Sequence, residues 1–483
     1  MMSIRALAVA CLWPAAMTAC GGDDGGGGGG PDAGLRDAAS DDINDRLAVL
    51  PGVISVDEMP HELDGHRYFE IAFDQPVDHD NPDGQHFTQY LTLTHVDDHA
   101  PFILATTGYD NYYGEYPMEP TELLDGNQLI IEHRYFTPSR PDPTNWDHLR
   151  VRQSAADHHA IAQSFRYIYD GPWISTGGSK GGMTSIYHRY LYPDDVDGTV
   201  AYVAPYNQDL GDTRYDAWFD EVLPGDCLQR VRDAQVEFLT NRRQALGMRA
   251  AEEAETQDIR YTRVALPVAV ESAVAGIEWS FFQYIGVGAC EQVPGPEATD
   301  DEVWEWMRDV SPPDSLSDAG IARFEPYYFQ VEAELGSPST TDEHLEGLLA
   351  FGAEDYAGAE PEARPDAYDP SVVDAAAGWV KNEAAAVILL YGEYDPWTAG
   401  AFDAEGNAGV GSYTVVGGTH SSSLLDLPEG VRTEVFDTIE AWTGVKPALP
   451  SLRARWFRVR APEPRPPLRG WAMARRARLD ARR

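Results

Sequence analysis

A serine flanked by two pairs of glycines stands between a short apolar run and a helical pattern. Ser179 lies in the sequence Gly177-Gly178-Ser179-Lys180-Gly181, which fits the pattern G-x-S-x-G. Residues 173–176 include aromatic and β-branched side chains, as in a strand, whereas residues 183–191 have helical spacing. Glycines two positions before and after the serine let a strained turn form and let strand and helix approach closely. The context predicts a sharp strand-to-helix turn that exposes the Ser179 hydroxyl as a nucleophile.

A serine nucleophile needs a base to take its proton and a carboxylate to hold that base in the right tautomer. Asp395 follows the strand-like run 386–391, and His420 follows a second such run at 412–416. Because parallel strands end at one rim of a sheet, both side chains are expected there with Ser179. Glu393 is a rival for the acid. Asp395 is preferred because Pro396 fixes the turn beside it.

Three other histidines are candidates for chemistry. His133 ends a strand-like run but precedes Ser179, whereas α/β-hydrolases have the order Ser, then Asp or Glu, then His. His158 and His159 are adjacent in a helical pattern, so their rings point about 100° apart and cannot chelate one metal together. We expect these two on a solvated helix face. The sequence predicts neither a metal site nor a cofactor.

An oxyanion hole completes such a site with two backbone N–H groups. One comes from the residue after the nucleophile, here Lys180, and the other from the loop after the third strand. That loop covers residues 106–110, so the N–H of Tyr109 is the second candidate. Each donor of this kind is worth roughly two to three orders of magnitude in rate.

The pattern around these residues predicts an α/β-hydrolase, a doubly wound and mostly parallel sheet with an inserted helical cap domain. Strands with alternating apolar and polar residues, typical of antiparallel pairs, are predicted at 68–73 and 87–96. Compact apolar runs predict buried strands at 101–107, 128–135 and 198–204, with a helix at 149–169. The cap helices are predicted at 233–255, 266–284, 302–310, 316–335 and 371–381, before a last core helix at 429–443.

Composition shifts divide the chain further, and the fold is expected to begin near Gly52. The predicted order is a lipoprotein-like signal peptide (1–20), a glycine-rich flexible tether (21–50), the first part of the core (51–206), the cap (207–382), the second part of the core (383–445) and a basic, proline-rich tail (446–483). The tail carries twelve basic and two acidic side chains. We expect it to be disordered; folding back onto the acidic body is the alternative.

Charge and cysteines restrict the partners and the compartment. A net charge of −43 argues against nucleic acid and anionic membrane surfaces as partners of the body. The apolar segment 6–17 is too short to span a bilayer and predicts export. Cys20 follows small residues as in a lipidation site, so a lipid anchor is the predicted membrane contact, with secretion as the alternative. Cys227 and Cys290, in an exported chain, are expected to form a disulfide.

Several segments carry a resemblance to a known family: Glu132-His133-Arg134, the block 173–206, and Tyr391-Gly392-Glu393-Tyr394-Asp395-Pro396-Trp397. The chain resembles the secreted bacterial prolyl tripeptidyl/tetrapeptidyl aminopeptidases, family thirty-seven of the serine peptidases. The likeness covers about residues 51–443 and is most specific at 179–184. Glu132-His133-Arg134 is also similar to the lysosomal Pro-Xaa carboxypeptidases. The resemblance implies release of N-terminal tri- or tetrapeptides ending in proline, with the triad on Ser179, Asp395 and His420.

Three functions remain to be distinguished. The leading one is a metal-independent serine exopeptidase acting on peptide substrates; the others are a carboxylesterase or lipase with the same triad, and a surface binding lipoprotein with an inactive site. An exopeptidase must also recognise a free substrate ammonium, and a carboxylate near the site can do this. Glu132 is the candidate; pairing with Arg134 or with a backbone amide, which would only shape the loop, is the alternative.

Overall fold

The computed structural model describes residues 40–61, 65–339 and 342–449, together with Met473, Arg475, Arg476 and Arg478. The predicted signal peptide, Cys20 and the first part of the predicted tether lie outside the described residues. None of the helices in the described ranges is both long and apolar enough to cross a bilayer.

The strands of the described residues form one large sheet and one small pair. In chain order they are β1 (Val53–Met59), β2 (Arg67–Pro76), β3 (His86–His95), β4 (Phe102–Thr106), β5 (Asn127–Ile131), β6 (Trp173–Gly178), β7 (Gly198–Tyr202), β8 (Leu210–Asp212), β9 (Ser337–Pro338), β10 (Val387–Gly392) and β11 (Val410–Val415). The large sheet has the order β1-β2-β3-β5-β4-β6-β7-β10-β11, and β8 pairs only with β9. Pairing is antiparallel from β1 to β3 and from β3 to β5, and parallel from β5 to β11. This is the mostly parallel, doubly wound sheet of an α/β-hydrolase, as the sequence predicts.

The helices of the described residues cover both faces of the sheet and build the cap. They are α1 (Ile43–Ala48), α2 (Glu119–Leu124), α3 (Val151–Phe165), α4 (Lys180–Leu191), α5 (Trp218–Val222), α6 (Gly225–Glu237), α7 (Arg243–Thr256), α8 (Leu266–Ala275), α9 (Ile277–Ser280), α10 (Asp300–Val310), α11 (Asp318–Gln330), α12 (Ser371–Asn382) and α13 (Glu429–Thr443). Three predicted cap helices are interrupted by π-helical turns, at Phe238–Arg242, Phe281–Ile285 and Val331–Leu335.

Strand β4 contributes side chains to the hydrophobic cores on both faces of the sheet. All five of its residues are buried, as expected for a central strand covered on both faces. Phe102 and Leu104 pack into the cluster under α3, whereas Ile103 and Ala105 pack into the cluster under α13. The alternation follows from the two-residue period of a strand, so a continuous apolar run is what this position requires.

The fold begins earlier than predicted, because residues 43–48 are helical rather than part of a flexible tether. Asp42 caps α1 by accepting a hydrogen bond from the N–H of Asn44 at 2.8 Å. Ile43, Leu47 and Leu50 are buried in the core cluster under β2 and β3. Ile43 and Leu47 lie one turn apart on one face of α1, and Leu50 follows just after the helix; their burial stabilises a segment too short to be helical alone.

Helix α12, which the sequence predicts in the cap, packs against both the cap and the core. Val373 and Ala376 are fully buried in one cluster with Ile186 of α4, Leu389 of β10 and Tyr327 of α11. α12 therefore lies where the cap joins the core. Helical spacing shows which face of a helix is apolar but not which partner covers it.

The predicted disulfide is present in the cap. Cys227 and Cys290 form a disulfide with their Cα atoms 5.6 Å apart, and it links α6 to the turn Val287–Gln292.

One described residue of the predicted tail contacts the cap. Arg478 lies 2.8 Å from Glu332 and 3.2 Å from Glu360, which favours the alternative in which the tail folds back onto the acidic body. Both glutamates are buried, so a guanidinium supplies the charge that balances them.

Candidate active site

The predicted nucleophile, acid and base all follow strands of the parallel part of the sheet. Ser179 follows β6, Asp395 follows β10 and His420 lies beyond β11. Because β6, β7, β10 and β11 are neighbours and run parallel, their carboxyl ends form a single rim. The order of the strands therefore brings Ser179, Asp395 and His420 to one edge of the sheet, although about half of the chain separates the first from the last.

Ser179 occupies the strained turn that the motif predicts. Its backbone has φ 55° and ψ −126°, a conformation that non-glycine residues rarely adopt. The N–H of Ser179 donates to Tyr202 O at 2.9 Å, which ties the turn to β7. A Cβ atom on Gly177 would lie 2.6 Å from Thr106 O, so only glycine lets the elbow approach β4 this closely. The half-buried serine is held at the start of α4 by the backbone around it.

His420 is oriented by Asp395. The Nδ1 atom of His420 lies 2.7 Å from Asp395 Oδ2, and both side chains are buried. An ionised carboxylate can only accept, so Nδ1 carries the proton and Nε2 is the basic nitrogen. The other carboxylate oxygen accepts the N–H of Trp397 at 3.1 Å, which fixes the rotamer of Asp395. This arrangement suits a general base whose tautomer is set by a buried acid.

Glu393, the other candidate for the acid, forms its hydrogen bonds with the end of β11 and the loop after it. Its Oε2 accepts the N–H of Gly417 at 2.7 Å, and its own N–H donates to Val415 O at 3.0 Å. Glu393 therefore joins the end of β10 to the loop after β11. The structure pairs His420 with Asp395 and gives Glu393 a supporting position two residues away.

The two candidate oxyanion donors are adjacent in space. Gly108 has φ +72°, and a Cβ atom there would lie 2.6 Å from the backbone N of Gly181. The loop of Tyr109 thus packs against the start of α4, where the N–H of Lys180 belongs to a first turn without intrahelical acceptors. The N–H of Tyr109 donates to Thr107 Oγ1 over a long 3.2 Å, so this candidate already has an acceptor within its own loop.

Glu132 does not present its carboxylate to a substrate. It is buried, and its two oxygens accept the N–H groups of Asn111 at 3.0 Å and Ser139 at 2.9 Å. Burial raises the pKa of Glu132, and the two hydrogen bonds oppose that shift. The geometry favours the alternative interpretation, in which Glu132 holds the loop after β5 against the loop after β4.

Of the remaining predicted histidines, His133 and His158 are buried, whereas His159 is partly exposed. His133 is buried, its Nδ1 donates to Arg134 O at 2.9 Å, and burial lowers its pKa well below the usual value. The expectation of a solvated face is wrong for His158, which is buried and whose pKa falls to about 3 for the same reason. Its neighbour His159 lies 2.8 Å from Asp195. Their helix α3 is covered by α4, so the face that carries His158 is internal.

The cap contributes contacts to His420 that sequence reasoning missed. The N–H of His420 donates to the backbone O of Gln283 at 2.9 Å. The ring of the cap residue Tyr284 lies 6.2 Å from the His420 ring, centre to centre, and the ring of Trp397, in the core turn after β10, lies 6.4 Å from it. The aromatic run at residues 279–284 was a visible signal, but its partner lies over 130 residues away in the chain.

Comparisons with known proteins show which family the chain is similar to. The model of the PS-10 peptidase S37 family matches residues 36–455. A prolyl tri/tetrapeptidyl aminopeptidase of Streptomyces mobaraensis is 36% identical over 412 residues, which cover 84% of this chain and 86% of that protein. A lysosomal Pro-X carboxypeptidase of Mus musculus is 29% identical over 32% of this chain and 35% of its own length.

Among solved structures, a proline iminopeptidase of Mycobacterium smegmatis is 15% identical and covers 77% of this chain and 98% of its own, with a TM-score of 0.35. The family match spans most of the chain and includes every residue of the rim described above. A buried Asp–His pair on the same sheet rim as a serine in a strained elbow is the arrangement expected of a serine peptidase. The chain therefore belongs to the PS-10 peptidase S37 family and is a serine peptidase.

Proposed function

We propose that this chain is an exopeptidase that releases N-terminal tri- or tetrapeptides by cleaving after proline, with Ser179, His420 and Asp395 as its triad. The observation that carries the roles is the 2.7 Å contact between His420 Nδ1 and Asp395 Oδ2 on the same rim as the Ser179 elbow. The substrate class is supported by the name of the Streptomyces relative, a prolyl tri/tetrapeptidyl aminopeptidase.

The reaction follows from these roles. Ser179 Oγ attacks the carbonyl carbon of the proline while His420 Nε2 takes the hydroxyl proton. The tetrahedral oxyanion is stabilised by the N–H groups of Lys180 and Tyr109, the latter sharing its hydrogen with Thr107 Oγ1. Collapse breaks the C–N bond, and His420 gives its proton to the leaving amine. Water then hydrolyses the acyl-enzyme by the same route, which frees the short peptide.

Peptidase and esterase activity are separated by a paired assay. A prolyl tripeptide anilide and a nitrophenyl ester are each offered to wild type and to Ser179→Ala. We expect efficient anilide cleavage that falls by about six orders of magnitude in kcat in the folded variant, as triads of this kind show. Ester cleavage without anilide cleavage would favour the carboxylesterase or lipase alternative. No hydrolysis of either would favour an inactive binding protein.

Recognition of the substrate N-terminus is tested by acetylation. Free and N-acetylated peptides are compared on wild type and on Glu132→Gln. We expect acetylation to slow cleavage by both proteins to the same degree, because the Glu132 oxygens are held by backbone amides. If acetylation loses its effect only in Glu132→Gln, Glu132 binds the ammonium after all. If acetylation changes neither protein, the exopeptidase proposal is wrong.

We further propose export with a lipid anchor at Cys20, on the strength of the apolar segment 6–17 and the small residues before the cysteine. Metabolic labelling with a fatty-acid analogue should mark wild type and leave Cys20→Ser unmarked. Unlabelled wild type in the medium would refute lipidation and leave secretion standing.

A further inference from the structure

The side chain of Lys180 points into the protein rather than toward solvent. Lys180 is the first residue of α4 and is almost fully buried. Its Nζ donates to the backbone O of Gly108 at 2.5 Å. Among the described residues, no carboxylate forms an ion pair with it, so its hydrogen bond to a carbonyl takes the place of a counter-charge.

The surroundings of this amine are largely aromatic. Nζ lies 5.6 Å from the ring centre of Tyr109 and 5.5 Å from that of Phe136. Ring faces attract a desolvated ammonium, which offsets part of the cost of burying it. Burial nonetheless lowers the pKa of Lys180 well below its ordinary value. The site therefore holds an amine whose burial is costly, and a methionine of similar length would fill the same space without that cost.

The carbonyl that Lys180 holds belongs to a particular peptide unit. The C=O of Gly108 and the N–H of Tyr109 form the two ends of one planar peptide, and in a trans peptide they point in opposite directions. A hydrogen bond that fixes the oxygen therefore fixes the direction of the N–H. Donation to the oxygen also polarises the peptide and makes its N–H a stronger donor.

The loop and the helix that share this bond are in tight contact. A Cβ atom on Gly108 would lie 2.6 Å from the carbonyl carbon of Lys180. The start of α4 and the loop after β4 are therefore joined twice, by the packing of their backbones and by the hydrogen bond from Lys180 Nζ to Gly108 O. In so small a unit, a shift of the peptide by a fraction of an ångström is resisted by its neighbours.

We propose that Lys180 is a positioning residue for the oxyanion hole, since its backbone N–H is one donor and its Nζ orients the Gly108–Tyr109 peptide that supplies the other. This role rests on the proposed peptidase mechanism and on Tyr109 as the second donor. Under this proposal, Lys180 donates one of the two oxyanion hydrogen bonds and positions the donor of the other. It also explains why an amine is buried behind the nucleophile, where it cannot reach the substrate.

Lys180→Met is the direct test, because methionine has a similar length and no donor. We expect kcat for the tripeptide anilide to fall between about tenfold and a few hundredfold, with KM within about threefold of wild type. Affinity for a peptide with a C-terminal boronic acid, whose adduct places an oxygen in the hole, should fall in parallel. The melting temperature should equal or exceed that of wild type, because a buried amine has been removed.

Ser154→Ala is the matched control. Ser154 lines the same small cavity as Lys180, but its hydroxyl donates to Arg150 O and does not touch Gly108. It should leave kcat and boronic acid affinity near wild type. Lys180→Gln is the second variant, in case Lys180→Met does not fold. The glutamine side chain is one bond shorter than that of lysine, so its amide nitrogen reaches less far toward Gly108 O. We therefore expect a kcat between those of wild type and Lys180→Met.

A folded Lys180→Met or Lys180→Gln with kcat and boronic acid affinity within twofold of wild type overturns the proposal. So does a lower kcat with unchanged boronic acid affinity, because the loss would then arise outside the hole. If the proposed peptidase mechanism itself were wrong, Ser179→Ala would retain cleavage of the anilide. The Ser179 variant therefore tests the mechanism, and the Lys180 variants test the positioning role.

Discussion

The rim of the core and the cap meet at His420, but they contribute to the site in different ways. The rim supplies side chains that follow strand ends, and Asp395 contacts the His420 ring directly at 2.7 Å. The cap supplies a backbone oxygen, that of Gln283, and the ring of Tyr284. Changes on the rim should therefore alter the chemistry itself, whereas changes in the cap should alter where the His420 loop lies.

The two regions also differ in how they balance charge. In the cap, arginines hold the buried acidic side chains: Arg232 lies 2.6 Å from Glu278, and Arg243 pairs with the buried Glu271. On the rim, Glu393 is held by a backbone amide and Asp395 by His420 and a backbone amide. These two glutamates are paired with arginines of the cap, so they do not offer free carboxylates to a cationic substrate.

The largest effect is expected on the rim, from Asp395→Asn. The amide would donate to Nδ1 and favour the wrong tautomer of His420, so kcat should fall by about four orders of magnitude with the fold retained. Glu393→Gln is the matched control, because it changes a carboxylate two residues away that contacts Gly417 instead. Steady-state kinetics on the tripeptide anilide measure both. A greater loss in Glu393→Gln would reverse the assignment of the acid.

The next effect lies in the cap, where the disulfide closes a sequence separation of 63 residues. Replacing Cys227 and Cys290 by serine should lower the free energy of unfolding by roughly 4 kcal/mol, following the chain-entropy relation. Below the melting transition, kcat should stay within about tenfold, because neither cysteine touches the rim. Thermal denaturation of the variant, and of wild type with and without reductant, measures this. Equal melting temperatures would show that the cap does not depend on the bond.

A smaller effect is expected where the cap touches the His420 loop. Gly286 has φ +83°, and a Cβ atom there would lie 2.6 Å from Thr419 Cγ2. Gly286→Ala should displace the loop and lower kcat by about tenfold, since misplacing catalytic groups by about 1 Å can cost up to a hundredfold. Gly288→Ala is the control, because a Cβ atom there meets nothing within 4 Å. Adding Thr419→Ser, which removes Cγ2, should restore part of the loss; no recovery would contradict a steric cause.

The smallest effect concerns pH. Burial raises the pKa of Glu334 from 4.5 to about 7, and its Oε2 accepts the N–H of Val151 at 2.8 Å. The folded state therefore binds more protons than the unfolded state between these values, so the free energy of unfolding falls as pH rises through that window. Glu334→Gln keeps an acceptor and should flatten this slope by at most about 1.4 kcal/mol per pH unit. Denaturant titrations from pH 4 to 8 measure it, with the exposed Glu346→Gln as control. An unchanged slope contradicts the prediction.

The residues of the rim could be predicted from short stretches of sequence. Ser179 in its elbow, Asp395 after β10 and His420 after β11 were all predicted from motifs confined to a few residues. Parallel strands carry their carboxyl ends to one edge, so the order along the chain was enough to bring the three together. Helix α13 was predicted at residues 429–443 because its amphipathic pattern is also local.

The partners that cover each side chain could not be predicted from local patterns. Helical spacing predicted α12 in the cap, and a position at a strand end predicted Glu132 near a substrate, whereas packing brings α12 against α4 and holds Glu132 between two loops. The contact of His420 with Gln283 and the bond from Lys180 Nζ to Gly108 O join residues 137 and 72 positions apart. A sequence pattern of period 2 or 3.6 reports a local face, but such contacts depend on how distant segments come together, and that is fixed only when the whole chain packs.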